Sequence, residues 1–489
     1  MSLAQRAVRG TIYVLFSSYA NMGLGIVYGV LLARVLTPEH FGVFAGALFF
    51  ATVFDVRGKL GLDYAFVHRQ PTTPELLTTH WYLQAGLSAL TVVILGLAAL
   101  VIKQLNYPPA TPSLMMALGG ALLLEALGST ARVALEKELN FGRSTMVVSG
   151  ALLLSYLSAL AAAYAGFTYW ALLTQLAVNA GVSTLGFWWI YTRRRTTPWT
   201  WRIDPPLTRW LLRFGATMTI ASLATAILLQ FDNFLVLTLA GSAAAGYYVQ
   251  AYKVAQWPTG LVTHIVSRTS LPTYAKLQDD PPRLSKAFEL SLWLILMVAL
   301  PLALAIFVTA PDFLQLLYGP TWLPAATPLR FLIGYSVLRP LLDDTGALFT
   351  AIGQPGRITR VLVTQAVTLI VIAPPLTIAW GAVGTAIGVG IAFAIGIAVT
   401  YRFISRTLTL NIGRLFAPPA IALGATLLAY GLLAPYLNAI PIPWLWLRVL
   451  AKGGFAVAAF TAIAGALQYR ELTARVRLIS SLIFPTRVT

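Results

Sequence analysis

The sequence predicts an all-α integral membrane protein with about fourteen transmembrane helices, and three observations predict it. Of the 489 residues, 58% are hydrophobic and only 10% are charged, with a mean hydropathy of +0.76. A soluble fold needs about a quarter of its residues charged to coat its surface, so lipid must replace water around most of this chain. Charge-free runs recur at the length of about 20 residues that spans a bilayer. Basic residues gather in alternate connections, as they do in polytopic proteins.

The helices follow from the runs between charges. Arg9 and Arg34 enclose 24 residues without Lys, Arg, Asp or Glu, which makes one long helix. Arg143 and Arg193 enclose 49, broken near Gly166-Phe167-Thr168, and Arg360 and Arg402 enclose 41, broken near Trp380-Gly381; each run holds two helices. Arg414 to Arg448 holds one helix and the Pro435…Pro441-Ile442-Pro443 turn that ends it. Completing the chain gives segments at 10–35, 40–68, 76–102, 112–138, 143–165, 168–192, 208–239, 244–275, 286–309, 324–352, 357–379, 382–404, 415–435 and 444–468. The first is too long for a signal peptide and lacks a small-residue cleavage site, so it counts as a span. The tail 470–484 alternates Arg475 and Arg477 with Leu472, Val476 and Ile479, the pattern of a short surface helix.

With the N-terminus in the cytoplasm, 23 of the 34 basic residues fall on the inner side, Arg6, Arg193, Arg202, Lys276, Arg357 and Arg470 among them. The outer side receives Arg34, Lys103, Arg330, Arg448 and Lys452. This bias predicts that both termini are cytoplasmic. In a soluble protein the formal charge of +18 would point to nucleic acid; here it reads as basic inner loops, and no nucleic-acid partner is expected. No loop is long enough for a domain. The stretch 193–207, with Trp199 and Trp201 among arginines and Trp210 just after it, reads as a linker in the headgroup zone.

Sliding the chain on itself pairs Arg9 with Arg213, Gly42 with Gly246 and Phe44 with Tyr248, each 204 positions apart. That register predicts two six-helix lobes in parallel orientation, a common transporter plan with the substrate site at their interface. The domain boundaries expected are 1–195, 196–410 and 411–489.

Charges left inside the membrane cost about 2.5–3.5 kcal/mol each at a helix centre, so they must face protein or a wet cavity. The basic ones are Arg57, Lys59, Arg132, Lys253, Arg268 and Arg339. The acidic ones are Asp55, Asp63, Glu125, Glu136, Asp232, Asp343 and Asp344. Asp55, Lys59 and Asp63 are spaced i, i+4, i+8 for one stripe of the second helix, and Glu125, Arg132 and Glu136 i, i+7, i+11 for one face of the fourth. Lys253, His264 and Arg268 share a broad face of the eighth helix, and Arg339 precedes Asp343 by one turn of the tenth. Ion pairs within a helix account for any single residue; the set predicts a hydrated cavity shared by both halves.

Chemical motifs exclude other functions. There is no GxxxxGK[ST] for ATP. With no Cys and with His40, His68, His80 and His264 scattered, no metal site or cofactor is expected. The first external loop, Leu36 to Glu39, is too short for the acidic loop of a polyprenyl-linked glycosyltransferase. The Gly25…Gly29, Gly42…Gly46 and Gly384…Gly388 spacings read as close helix packing.

Several stretches carry a resemblance. Leu32-Ala33-Arg34-Val35-Leu36-Thr37-Pro38-Glu39-His40-Phe41-Gly42-Val43-Phe44 resembles the opening of Wzx-like flippases of lipid-linked oligosaccharides, within the multidrug/oligosaccharidyl-lipid/polysaccharide exporter superfamily. So do Leu135 to Phe141, Asp232-Asn233, Gly246-Tyr247-Tyr248 with Tyr252-Lys253, and Leu271-Pro272 with Leu277 to Asp280. Leu317-Tyr318-Gly319-Pro320-Thr321-Trp322 and Gly353-Gln354-Pro355 complete the set.

The resemblance implies two six-helix lobes around a central cavity plus two C-terminal helices, and a non-enzymatic carrier in a bacterial or archaeal plasma (inner) membrane. It would flip an undecaprenyl-diphosphate-linked oligosaccharide to the outer leaflet by alternating access, for cell-surface polysaccharide biosynthesis such as that of lipopolysaccharide. Partners would be that lipid, membrane lipids, and the polymerase and glycosyltransferases of the same pathway. Cavity cations suit the diphosphate, Arg by its bidentate fork, which assigns substrate binding to Arg57, Lys59, Arg132, Lys253, Arg268 and Arg339. Tyr247, Gln250 and Tyr252 would stack on or hydrogen-bond sugars, and Asp55, Asp63, Glu125, Asp232 and Asp343 are candidates for ion coupling. A lipid II flippase and a cation-coupled multidrug exporter of the same superfold are the alternatives; a membrane glycosyltransferase lacks a loop domain.

Overall fold

A computed structural model describes residues 3–105, 107–138, 141–194, 197–439 and 444–469, with side chains described from residue 17 onward except 141, 194, 261–268 and 437–439. The tail 470–489 and the side chains of His264 and Arg268 therefore lie outside the described residues. The helices are α1 (Leu3–Val35), α2 (Pro38–Phe54), α3 (Val56–Lys59), α4 (Leu62–His68), α5 (Pro74–Ile102), α6 (Thr111–Lys137), α7 (Phe141–Tyr164) and α8 (Thr168–Arg194). There follow α9 (Pro205–Ala240), α10 (Ser242–Leu277), α11 (Pro281–Tyr318), a 3-10 turn (Pro320–Ala325), α12 (Ala326–Ala351), α13 (Gly356–Ile404), α14 (Ile412–Ala439) and α15 (Leu445–Leu467). Taking α2–α4 as one crossing and α13 as two, the architecture is the all-α one of about fourteen helices. Eight of the described helices are long and apolar enough on their own to cross a membrane.

Local chemistry sets the ends. Proline opens α5, α9 and α11, and a side chain caps each start: Thr73 Oγ1 accepts from the Leu76 amide at 3.2 Å, and Asp204 and Asp280 do the same for Leu207 and Arg283. Both expected breaks fall on glycines in conformations that other residues resist: Gly166 at φ 88°, and Gly381 at φ 56°, ψ −138° beside the non-helical Trp380.

The second crossing is not the continuous helix expected over 40–68. It breaks at Asp55, restarts as α3, and breaks again at Gly61, φ 50°. The reason is a redirection of backbone hydrogen bonds. The Val56 amide donates to Thr91 Oγ1 at 3.1 Å, and Lys59 Nζ takes the Thr52 carbonyl, seven residues back, at 2.6 Å. Irregular backbone at membrane depth survives only where protein supplies such partners. Asp55, Lys59 and Asp63 therefore do not form one helical stripe.

Two compact units divide the chain: Met1–Val249 with Gln365–Thr385, and Gln250–Thr364 with Ala386–Thr489. In the first, α6 packs between α5 and α8, α7 on α8, α1 on α7, and α2 on α9 and α6. Asn21 Nδ2 donates to Ser149 Oγ at 3.0 Å, and Tyr28 stacks on Tyr156 with ring centroids 4.3 Å apart, fixing α1 on α7. In the second, α11 packs on α12, α14 and α15. Buried Lys452 of α15 reaches Asp312 of α11 at 2.7 Å, with Arg448 at 3.6 Å from the same carboxylate.

The 204-residue register reappears as geometry. A Cβ on Gly42 would lie 1.9 Å from the Ser242 carbonyl oxygen, and one on Gly246 would lie 1.7 Å from the Pro38 carbonyl oxygen. Pro38 and Ser242 open their helices, and they stand 204 apart, as Gly42 and Gly246 do. Residue pairs that exchange places in this way are the mark of a two-fold contact, so α2 and the start of α10 meet about a local pseudo-two-fold axis. Close packing also holds at Gly46, against Leu237, and at Gly384, against the Leu376 carbonyl. At Gly29 it does not, because nothing lies within 4 Å of its would-be side chain.

Candidate functional site

Helix α5 is apolar outside and polar inside. His80, Gln84, Ser88 and Thr91, at spacings of four, four and three, are all buried, while Leu97 and Leu100 on the opposite side are more than half exposed. This face packs on α3, α4 and α6 and supplies the acceptors and donors that a broken helix needs. Asp63 of α4 is its focus. Its Oδ1 accepts from Gln84 Nε2 at 2.6 Å and from Ser129 Oγ at 2.9 Å, with His80 Nε2 at 3.5 Å. Its Oδ2 takes Arg132 Nη2 of α6 at 2.7 Å. His80 turns its other nitrogen to Thr130 Oγ1, 2.8 Å away.

A second charged group lies one turn of α6 further along. Arg57 of α3 reaches Glu125 Oε1 at 3.3 Å and lies 4.0 Å from Asp55. With Lys59 on the Thr52 carbonyl, the six charged residues Asp55, Arg57, Lys59, Asp63, Glu125 and Arg132 sum to zero. Ion pairing among five of them, and the carbonyl that holds Lys59, offset the cost of withdrawing these charges from water.

Glu125, Ser129 and Arg132 line one wall of a cavity of about 410 Å³ bounded by α2, α6, α7 and α8. Asn179, Ser183 and Thr184 of α8 and Thr52 of α2 also line it. The Glu125 side chain is 53% exposed and that of Arg132 38%, so both present charge to the space while holding a partner. The cavity offers one cation, one anion, and a set of hydroxyl and amide groups. That suits an anionic or hydroxyl-rich ligand held by hydrogen bonds.

The other expected residues are distributed as follows. Glu136 accepts from Ser144 Oγ at 3.3 Å instead of facing the cavity. Asp232 of α9 is fully buried and takes Tyr248 Oη at 2.9 Å and the Asn233 amide at 2.8 Å. Tyr247 is half-buried. In the second unit, Tyr252 donates to Tyr335 Oη at 2.8 Å, and Arg339 Nη1 donates to the same oxygen at 2.6 Å. Gln250 is buried, and among the described residues neither atom of its amide has a hydrogen-bond partner. Lys253 is exposed. The adjacent acids part company: Asp344 is buried on Tyr274 Oη at 2.9 Å, whereas Asp343 is exposed.

Sequence reasoning followed charges and so missed His80, Gln84, Ser129, Asn179, Ser183 and Thr184. The 80, 84, 88, 91 stripe was the signal that would have found the α5 part, since neutral polar groups at helical spacing in an apolar span also need partners.

An all-α membrane bundle with a paired charge network and a polar cavity defines a carrier. Solved structures that share this fold include transporters. A lipid II flippase, MurJ, in an inward closed conformation superimposes with a TM-score of 0.72 at 14% identity, over 95% of this chain and 100% of that one. An inward-facing multidrug resistance transporter of the MATE family, in the MOP superfamily, gives 0.60 at 15% identity over 78% and 94%. The chain itself belongs to the polysaccharide biosynthesis protein family, whose model matches residues 31–327. Lipopolysaccharide biosynthesis protein WzxC of Escherichia coli (strain K12) is 26% identical over 72% of this chain and 71% of its own length. Succinoglycan biosynthesis transport protein ExoT of Rhizobium meliloti (strain 1021) is 27% identical over 65% and 64%.

Proposed function

We propose that this protein flips an undecaprenyl-diphosphate-linked oligosaccharide from the cytoplasmic to the outer leaflet of a plasma membrane for cell-surface polysaccharide biosynthesis. The observation that carries the reading is the cavity lined by Arg132 and Glu125 together with the hydroxyl and amide groups of α8. A lipid tail stays in the bilayer during such a step, while sugars and diphosphate need replacements for water. Family membership and the transporter fold support a carrier over an enzyme.

In this reading the lobes 1–195 and 196–410 alternate access, 411–489 adds two helices, and both termini are cytoplasmic. Arg132 is the cation offered to the diphosphate. Arg57 and Lys59 serve only when released by Glu125, Asp55 and the Thr52 carbonyl. A net-neutral cluster has a consequence: an entering anion competes with Asp63 and Glu125 for the guanidinium groups, so neutralising those acids by a proton or cation favours loading. Lys253, Arg268, Arg339, Tyr247, Gln250 and Tyr252 form the complementary set, with Asp232 and Asp343 as further coupling candidates. The polymerase and glycosyltransferases of the pathway are the proposed protein partners.

The test is flipping of a diphosphate-linked oligosaccharide in vesicles that contain only the purified protein, read by enzymatic access to the sugar on the opposite side. Protein-dependent flipping of this lipid is expected; flipping confined to lipid II, or efflux of amphipathic cations instead, overturns the reading.

A further inference from the structure

The segment 197–204 between α8 and α9 is not a loose linker. Thr78 of α5 donates to the Thr200 carbonyl, the Asp204 amide donates to Thr79 Oγ1 at 3.1 Å, and Tyr191 Oη donates to the Thr197 carbonyl at 3.1 Å. These bonds fold it back over α5, α6 and α8. There Trp199 meets Trp81 and Trp188 edge to face, with centroids 6.0 and 5.5 Å apart, and Trp201 edge to face at 5.9 Å. Beside this cluster lies a cavity of about 940 Å³, walled by Trp81, Trp188, Tyr191, Trp199 and Trp201. Its size is that of a ligand site.

The chemistry of the wall selects the occupant. Trp81 and Trp188 both turn their Nε1 to the Leu127 carbonyl, at 3.2 and 2.7 Å. Thr184 and Thr192 hydroxyls are spent on the carbonyls of Leu124 and Trp188, at 2.7 and 2.9 Å. Among the described residues the buried Trp199 Nε1 keeps an unused donor; the ring faces and methyl groups that make up most of the rest of the wall suit a hydrocarbon chain better than a sugar, whose hydroxyls need partners. Leu185, Trp189 and Trp201 beside the cavity are exposed, as on a lipid-facing surface. Arg193, stacked 4.2 Å over Trp189, and Arg202 directly follow the lining residues Thr192 and Trp201 in the chain, and both are exposed. No lining residue is acidic.

We propose that this cavity is a phospholipid site, in which an acyl chain of an anionic lipid lies against the tryptophans and its phosphate sits at Arg193 and Arg202. Aromatic rings at headgroup depth and arginines that snorkel to the interface are the physical basis. The site shares Thr184 with the charged cavity on which the proposed function rests but none of its charged residues, so either reading can fail without the other.

The full chain is reconstituted in phosphatidylcholine vesicles with rising amounts of phosphatidylglycerol brominated on its chains. The difference in tryptophan quenching between the native protein and Trp201→Phe isolates Trp201. Saturation at a small mole fraction is expected, with several-fold more brominated phosphatidylcholine needed for the same effect. Arg193→Gln combined with Arg202→Gln should remove that preference but keep quenching by the chains. Quenching that rises linearly and equally with both lipids marks ordinary boundary contact and overturns the site. A preference untouched by the arginine changes overturns the phosphate assignment, and a Trp201-dependent response to soluble oligosaccharide assigns the cavity to sugar instead.

Discussion

Replacing Gly42 by alanine tests the α2–α10 crossing most directly. The new methyl carbon would stand 1.9 Å from the Ser242 carbonyl oxygen, and the equivalent carbon on Gly246 would stand 1.7 Å from that of Pro38. A relaxed carbon–oxygen contact is about 3.3 Å, so the changes at Gly42 and Gly246 must part the helices by about 1.4 and about 1.6 Å at that level. Backbone cannot swing aside as a side chain does, and overpacking of this kind costs about 1–3 kcal/mol. The two sites share one helix pair. Once the first methyl has forced the gap, the second occupies it, so the double variant should be less destabilised than the sum by about 1 kcal/mol or more. Thermal unfolding of the purified protein in detergent reads this cycle, and reconstituted flipping reads its cost to transport. Gly120→Ala in α6, with nothing within 4 Å, is the control and should lose no stability. Single variants that melt like the native protein, or a double that equals the sum, would refute the shared close contact.

Arg132→Ala should abolish flipping in a protein that still inserts, and Arg132→Lys should restore part of it, because the charge survives but the bidentate fork does not. Its stability cost should be only about 1–2 kcal/mol, since the Asp63 pair is partly exposed and Gln84 and Ser129 remain on the carboxylate. Lys452→Met leaves Asp312 with Arg448 alone at 3.6 Å and should cost about 2–3 kcal/mol in thermal unfolding, most of which Lys452→Met with Asp312→Leu should recover. Gly381→Ala forces a side chain into φ 56°, ψ −138° and should cost about 1–3 kcal/mol by the same measurement. If a diphosphate crosses uncompensated, about two charges at about 2.3 kcal/mol each per 100 mV should make an inside-negative potential speed export from vesicles; a rate blind to clamped voltage but responsive to a pH gradient would assign the coupling to proton exchange through acids such as Asp63 or Glu125.

By itself the sequence determined how often the chain crosses the membrane and where it turns. Those features depend on short stretches whose cost is set by solvent: a charge-free run must lie in lipid, and Gly166 and Gly381 supply conformations that few other residues adopt. The 204-residue register was also legible, because the same close approach was written twice, at Gly42 and Gly246. The partners of the charges were not. Asp63 finds Gln84 from α5 and Ser129 and Arg132 from α6, residues 21, 66 and 69 positions away, and no local spacing encodes those meetings. Nor did the spacing of Asp55, Lys59 and Asp63 reveal that their helix breaks, since the break is stabilised by a threonine on another helix. Only tertiary packing decides which carbonyl a lysine takes or which arginine faces an open cavity, because in an apolar medium every polar group is held by whichever partner the fold brings within reach.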